Sequence, residues 1–333
     1  MTMEALTGPT IARDAPIDVG IIVNLNAREH RGRGEAPVRE VRAWAGDAKV
    51  VATKTRAEAD HALASFVREG VNVVAVAGGD GTLHHAVQSL RRGPERFHGA
   101  LAQLPSGTLN IVARATSGDV RAWLRALAGR PFGAMNRRAL DVLEVTSPSV
   151  GTKWGFVFGS EMVKNALELY DHFGGGYTGL SRFLLEAGRG YLFRTELWER
   201  ESWRLTPPRD AVTVDGSTMP TYSAVVAATC ELAVAGGVVR ALSRPGGNGF
   251  SARVVTETRT GPLLALIPTL MREGNSPGVR AFAGARQLTL RGAFTLDGET
   301  YGTSSRDGAA GEELRVRLGE PVSLVGQPAS ESA

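Results

Sequence analysis

Residues 71–92, VNVVAVAGGDGTLHHAVQSLRR, run from an apolar strand (Val71 to Ala77) through a glycine-rich turn (Gly78 to Thr82) into a helix (Leu83 to Arg92). The same unit recurs on both sides. Ile17 to Asn24 (IDVGIIVN) reads as a buried strand, and residues 35–46 as a helix with Val38, Val41 and Trp44 on one face. Lys49 to Thr53 is a second strand, and residues 57–69 a helix that Gly70 ends. Ala100 to Leu104 is a fourth strand, and Pro105-Ser106-Gly107-Thr108 opens a helix from Leu109. Alternation at this spacing predicts a doubly wound parallel α/β domain with helices on both faces. Such sheets bind ligands at the carboxyl ends of their strands. Three polar loops lie there: 24–34, 78–82 and 105–110.

After about residue 138 the pattern changes. Residues 139–145, 153–159, 196–206, 211–216, 223–229, 251–258, 287–292 and 314–319 read as strands separated by Gly, Pro and Asp turns. Residues 161–172 and 262–272 read as helices. The expectation is two domains, 1–138 a doubly wound α/β domain and 139–333 a mostly antiparallel β-sandwich. The last residues, GQPASESA, read as a frayed tail.

Composition bounds the function. The chain has 333 residues, 43% of them hydrophobic, which fits a globular protein of about two domains. A net charge of +4 is too mild to imply nucleic acid. Lys49, Lys54, Lys153 and Lys164 are the only lysines among 38 basic residues, and arginine suits phosphate and anionic surfaces better. A single cysteine, Cys230, excludes an internal disulfide and favours a reducing compartment. The first residues carry no basic-then-apolar signal pattern, and no run of about 18 uncharged apolar residues predicts a membrane span. A cytoplasmic location is expected.

The glycine loop carries the chemistry. Gly78, Gly79 and Gly81 let backbone N–H groups approach a polyphosphate, and the helix start adds positive potential. Thr82 offers a hydroxyl. Asp80 puts a carboxylate beside phosphates, which suggests Mg²⁺ or a general base. A plain strand–helix turn explains the glycines equally well. The loop is not GxxxxGK[ST]. One strand later, Gly107 again permits close approach, Thr108 offers a hydroxyl and Asn110 an amide, while Ser106 or Thr108 also suits helix capping. Gly174 to Gly179 matches GxGxxG literally, but it follows a helix and fails the dinucleotide context. His84 and His85 have no ligand spacing with the other histidines.

GGDGTL (78–83) and PSGTLNIVAR (105–114) together resemble the diacylglycerol kinase catalytic-domain family, which includes bacterial lipid kinases, sphingosine kinases and ceramide kinases. Asn24-Leu25-Asn26-Ala27-Arg28 is similar to that family's NPxSG loop, and Asp297-Gly298-Glu299 to its DGE motif. The resemblance implies an ATP-dependent lipid kinase using Mg²⁺. It implies a nucleotide site of Asn24, Asn26, Thr53, Gly78, Gly79, Gly81, Thr82, Ser106, Gly107, Thr108 and Asn110. Asp80 is the first candidate for the base, Asp297 its rival, and Glu299 supports the nucleotide or Mg²⁺. Glu161, after Gly159-Ser160, takes the place of the family's head-group acid, and a first-turn helix residue is its plainer reading.

The departures shift roles. Leu25 and Ala27-Arg28 replace Pro and Ser-Gly, so phosphate contacts pass to Arg28, Arg31 or Arg33, or these line a solvated loop. Asn248 stands where bacterial members carry an acid for a structural Mg²⁺. The implied substrate is a primary hydroxyl of diacylglycerol, ceramide, a sphingoid base or a prenol. Peripheral association with an anionic membrane follows, with residues 262–271 as either core helix or a greasy lip. A homodimer is left open. Two other classes stay open: a GGDGT kinase of the NAD kinase or phosphofructokinase type, and a non-catalytic binding member.

Overall fold

The computed structural model describes residues 11–106, 119–171, 182, 185–186, 188–190, 192–205, 210–234, 239–242, 248–258, 274–304 and 311–326. The chain divides into two compact units, one of residues 1–140 with 321–333, the other Asp141–Glu320.

In the first unit the strands are β1 (Val19–Asn24), β2 (Lys49–Thr53), β3 (Val73–Gly78) and β4 (Ala100–Pro105). They pair in parallel in the order β2-β1-β3-β4. Ile21, Ile22, Val23 and Val73 to Val76 are all buried, because helices cover both faces of the sheet. Those helices are α1 (Ala36–Ala45), α2 (Arg56–Arg68), α3 (Asp80–Arg92) and α4 (Val120–Leu127). Thr55 caps α2 by accepting from Glu58 N at 3.2 Å, and the Glu58 carboxylate accepts from Lys54 N at 2.7 Å. The helix packs so closely that a Cβ on Gly20 would lie 2.6 Å from the Phe66 ring.

The chain runs outward from β1 to β2, then returns to place β3 on the other side of β1. That reversal opens a crevice beyond the carboxyl ends of β1 and β3. Helix α3 starts three residues earlier than the sequence pattern places it. The Gly79 carbonyl accepts from Thr82 N (3.0 Å) and Leu83 N (3.2 Å), so Asp80-Gly81-Thr82 is the first helical turn. The final strand also outruns its sequence reading. It spans Glu313–Val325, and Ser323 and Leu324 pair in parallel with Ala100 and Leu101 of β4.

The second unit is a two-sheet sandwich. Its strands are β5 (Arg137–Ser147), β6 (Gly151–Gly155), β7 (Val157–Ser160), β8 (Val212–Val214), β9 (Ser217–Met219), β10 (Ala224–Ala228), β11 (Leu232–Val234), β12 (Val239–Leu242), β13 (Phe250–Val255), β14 (Val279–Ala285), β15 (Gln287–Arg291), β16 (Phe294–Leu296), β17 (Glu299–Tyr301) and β18 (Glu313–Val325). Strands β6-β5-β18-β15-β8-β9 pair in that order, β14-β13-β10-β7-β16-β17 form a six-stranded sheet, and β11 and β12 pair with each other. Leu143, Val214, Leu288 and Val316 of the first sheet share a core with Phe158, Val225, Phe250 and Phe294 of the second.

Two sequence readings are corrected here. KWGFVFG (153–159) is not one strand. It breaks after Gly155, because Phe156 N and Val157 N donate to Asp297 Oδ1, and its halves enter different sheets. Within the expected strand 196–206, the described residues 196–205 are not a strand either. They form α6 (Glu196–Glu201) and a 3₁₀ turn (Ser202–Leu205), within which Arg204 pairs with Glu201 at i,i+3. Arg204 also reaches Glu168 of α5 (Glu161–Asp171). The helix expected from Leu109, the GxGxxG stretch and residues 262–272 lie outside the described residues. Among the described residues, no helix is long and apolar enough to cross a membrane.

Candidate nucleotide and acceptor sites

The crevice between β1 and β3 is tied together by side chains from both edges. Asn24 ends β1. Its Nδ2 donates to Thr82 Oγ1 at 2.8 Å, and its Oδ1 accepts from Asn26 N at 2.9 Å. Asn26 Nδ2 donates to Lys54 O at 2.6 Å, just beyond β2. Thr53 is buried, and its carbonyl accepts from Leu25 N. On the far side, Gly78 O accepts from Ser106 N at 3.1 Å, and Ser106 O accepts from Glu29 N at 3.4 Å. Asn24, Asn26, Thr53, Gly78, Thr82 and Ser106 thus meet at the carboxyl ends of four parallel strands. Gly107, Thr108 and Asn110 lie outside the described residues.

Helix α3 begins at this point with glycine as its N-cap and no side-chain cap. Its first N–H groups therefore face the crevice with the positive end of the helix dipole behind them. Gly78 must be glycine, since a Cβ there would stand 2.5 Å from Thr82 Oγ1.

Asp80 lies in the first turn of α3, and its Oδ1 is 3.5 Å from Gln103 Nε2 of β4. Gln103 is buried, and its Oε1 is buried without a hydrogen-bond partner. One turn along α3, buried His84 sits 3.5 Å from Gln88 Nε2, and Gln88 Oε1 accepts from Arg92 at 3.2 Å. A polar lane therefore follows the inner side of α3 from Asp80. His85 instead pairs with Asp60.

Sequence reasoning passed over two residues here. Gln103 was legible as a polar residue inside the apolar run ALAQL. His30 is buried, and its Nδ1 donates to Asn24 O at 2.7 Å, which holds the loop after β1. Its neighbours in that loop differ. Arg33 pairs with Glu40, Arg31 Nη2 is 3.4 Å from Asn26 O, and Arg28 is exposed.

In the second unit, Asp297 and Gly298 form the two-residue turn between β16 and β17, with φ of 54° and 88°. Both are left-handed, the pattern that favours Asp-Gly. The Asp297 carboxylate accepts from Phe156 N and Val157 N at 2.9 and 2.8 Å. Glu299 follows on β17 and is half-buried. Glu161 opens α5 directly after β7, and its carboxylate lies against Gly292. Beside it, burial pushes the Tyr222 hydroxyl far above its usual range, and the charges of Asp210 and Glu161 add to the effect. Asn248 lies exposed in a bend.

No cluster of three His, Cys, Asp or Glu side chains exists among the described residues. A Mg²⁺ ion fits this arrangement only as a partner of one carboxylate and of a ligand's own phosphates, which is its usual mode in phosphotransferases.

Residues 18–136 match the family model of the diacylglycerol kinase catalytic domain. No protein of curated function matches the chain. Among solved structures, the chain is similar to a candidate diacylglycerol kinase from Bacillus anthracis str. Sterne at 16% identity and a TM-score of 0.62, covering 94% of this chain and 98% of that one. A diacylglycerol kinase from the same organism matches at 15% identity and a TM-score of 0.59, with the same coverage. A third candidate diacylglycerol kinase of that organism matches at 17% and 0.61, again over 94% and 98%. At these identities the structural likeness establishes the fold. Residues 18–136 are thus similar to the diacylglycerol kinase catalytic domain, and the chain shares the fold of these solved structures.

Proposed function

We propose that the protein is an ATP-dependent lipid kinase that transfers the γ-phosphoryl group to a primary hydroxyl of a membrane lipid, of the diacylglycerol or ceramide/sphingoid class. The observation that carries this reading is the Asn24–Thr82 hydrogen bond, which closes the crevice beside an uncapped helix start. Phosphoryl transfer needs positioning and charge stabilisation more than covalent help from the protein. The N–H groups of the first turn of α3 and the Thr82 hydroxyl would bind the nucleotide's phosphates. Asn24, Asn26, Thr53 and Ser106 would shape the site around them, and Gly107, Thr108 and Asn110 would complete it. Mg²⁺, when bound, would be held by the nucleotide's phosphates, with Glu299 in support, and would offset their charge.

The acceptor oxygen forms a bond to the γ-phosphorus as the bond to the β-phosphate oxygen breaks, and the hydroxyl proton passes to a carboxylate. Asp80 is the proposed base, oriented by Gln103. Asp297 is the weaker candidate, because its Oδ1 already holds two backbone N–H groups at the start of β7. Glu299 would support the nucleotide. Glu161 would accept a hydrogen bond from the lipid head group. The reaction takes place at a membrane surface, to which the protein would bind peripherally.

The test is phosphorylation of diacylglycerol, ceramide, sphingosine and a prenol in mixed micelles with labelled ATP. Label in at least one lipid, lost in Asp80→Asn, supports the reading. Phosphorylation of NAD or a sugar phosphate with no lipid product overturns it, as does ATP binding without transfer to any acceptor.

A further inference from the structure

The described residues carry three exposed large hydrophobic side chains, and all three lie within nine residues of each other. Leu185, Leu192 and Phe193 are 62, 71 and 74% exposed. Exposed leucines scattered singly need no explanation, but a grouped set does. Residues 182, 185, 186, 188–190, 192 and 193 are helical. Positions 182, 185, 186, 189, 192 and 193 follow the i, i+3, i+4, i+7 spacing of one helix face. That face carries Arg182, Leu185, Glu186, Arg189, Leu192 and Phe193.

One flank of the stripe is fixed. Gly190 is buried, and a Cβ there would stand 2.7 Å from Trp198 Cβ of α6. The close packing holds the apolar stripe outward. Arg194 N donates to Gly190 O at 2.8 Å, and Arg194 takes φ of 48°, a left-handed conformation uncommon for arginine. It ends the helical stretch beside Phe193.

We infer that this stripe is a docking surface for an anionic lipid bilayer. Arg182, Arg189 and Arg194 are exposed, and Glu186 is the one acid among residues 182–194, paired with Arg189 at 3.1 Å. The stripe is thus apolar with a cationic border. Leucine and phenylalanine enter the acyl boundary while arginine heads stay at the phosphates. A second copy of this chain would bring like charge against like charge, so self-association is disfavoured. The inference rests on the lipid-kinase reading only in giving such a surface a use.

The test uses the full-length protein without nucleotide, so it is independent of catalysis. Phe193→Cys is labelled with an environment-sensitive fluorophore. Cys230, the other cysteine, is buried, so the label is selective. The label should shift to apolar emission on phosphatidylcholine vesicles containing phosphatidylglycerol, and far less on pure phosphatidylcholine. In sedimentation with the anionic vesicles, Leu192→Ser/Phe193→Ser should lose at least about tenfold in binding. Both side chains are exposed, so the thermal melt should stay that of the wild type. Arg182→Gln/Arg189→Gln should weaken binding and flatten its salt dependence. Wild-type sedimentation of the double serine variant, or equal binding to neutral and anionic vesicles, overturns the inference. Loss of a dimer in that variant with vesicle binding intact would assign the face to a second copy and overturn it too. Lipid phosphorylation in detergent micelles reads the kinase proposal separately, since micelles do not require a bilayer dock.

Discussion

Replacing Gln103 by leucine should raise stability and lower turnover together. The side chain is buried on β4, and its Oε1 has no partner. A buried polar group left unpaired costs about 1–3 kcal/mol. Its other end makes one long contact, 3.5 Å from Asp80 Oδ1, which returns little of that cost. Leucine is close to glutamine in volume, so Gln103→Leu removes the penalty without opening a cavity. The expected gain is about 1–2 kcal/mol, or roughly 2–8 °C in melting temperature for a unit of this size. A buried amide kept at this cost is explained if it orients the base. Turnover should therefore fall at least about tenfold, with the KM for ATP within about twofold of wild type. Gln103→Glu supplies the contrasting arm. It sets a carboxylate beside Asp80, so stability and turnover should both fall. Calorimetry and steady-state kinetics on the same preparations give both readings. A destabilised Gln103→Leu protein, or one with wild-type kcat, refutes the reasoning.

Asp80→Asn should cut turnover by at least about a hundredfold while leaving the melt close to that of the wild type, since asparagine keeps the size of this half-buried first-turn side chain; near-normal turnover would remove it from the chemistry. Gly78→Ala should push Thr82 off Asn24 and cost about 1–3 kcal/mol, with a raised KM for ATP; isothermal titration and denaturant curves check both, and a silent substitution would mean the crevice edge is soft. Glu161→Gln should raise the KM for lipid and not for ATP, most strongly for a cationic sphingoid base; an equal effect on every lipid would return Glu161 to a plain helix start. Glu312 holds the turn after β5 by accepting from the Ser149 hydroxyl and N–H and the Ser147 hydroxyl, which keep its carboxyl below the ordinary 4.5. A depressed folded value means that the stabilisation is present above the unfolded value and is lost as pH falls through the folded one. Glu312→Gln should thus be less stable than wild type at pH 7, and the gap should close as the pH drops below 4.5; a gap that persists in strong acid would rule out the carboxylate as its source.

Local pattern determined much of this protein. The parallel unit was legible because Ile17 to Asn24, Val71 to Ala77 and Ala100 to Leu104 are apolar runs, each ended by a polar loop. A strand covered on both faces needs that composition and a loop needs the other, so the information is in consecutive residues. The glycine motif was legible for the same reason, as it depends on backbone conformation within five residues. What neighbours in sequence could not decide was everything set by a partner far along the chain. Asp297 takes the N–H groups of Phe156 and Val157 and so breaks one apparent strand into two. Glu168 and Glu201 hold Arg204, in a segment whose aromatic and charged residues resemble a strand. Ser323 and Leu324 return to β4 across more than two hundred residues of sequence. Gln103 shows its unpaired oxygen only once α3 covers it, and Leu192 and Phe193 are recognisable as surface only once Gly190 is seated on Trp198. Burial and long-range hydrogen bonding are properties of the assembled chain, and only the tertiary structure assigns them to particular atoms.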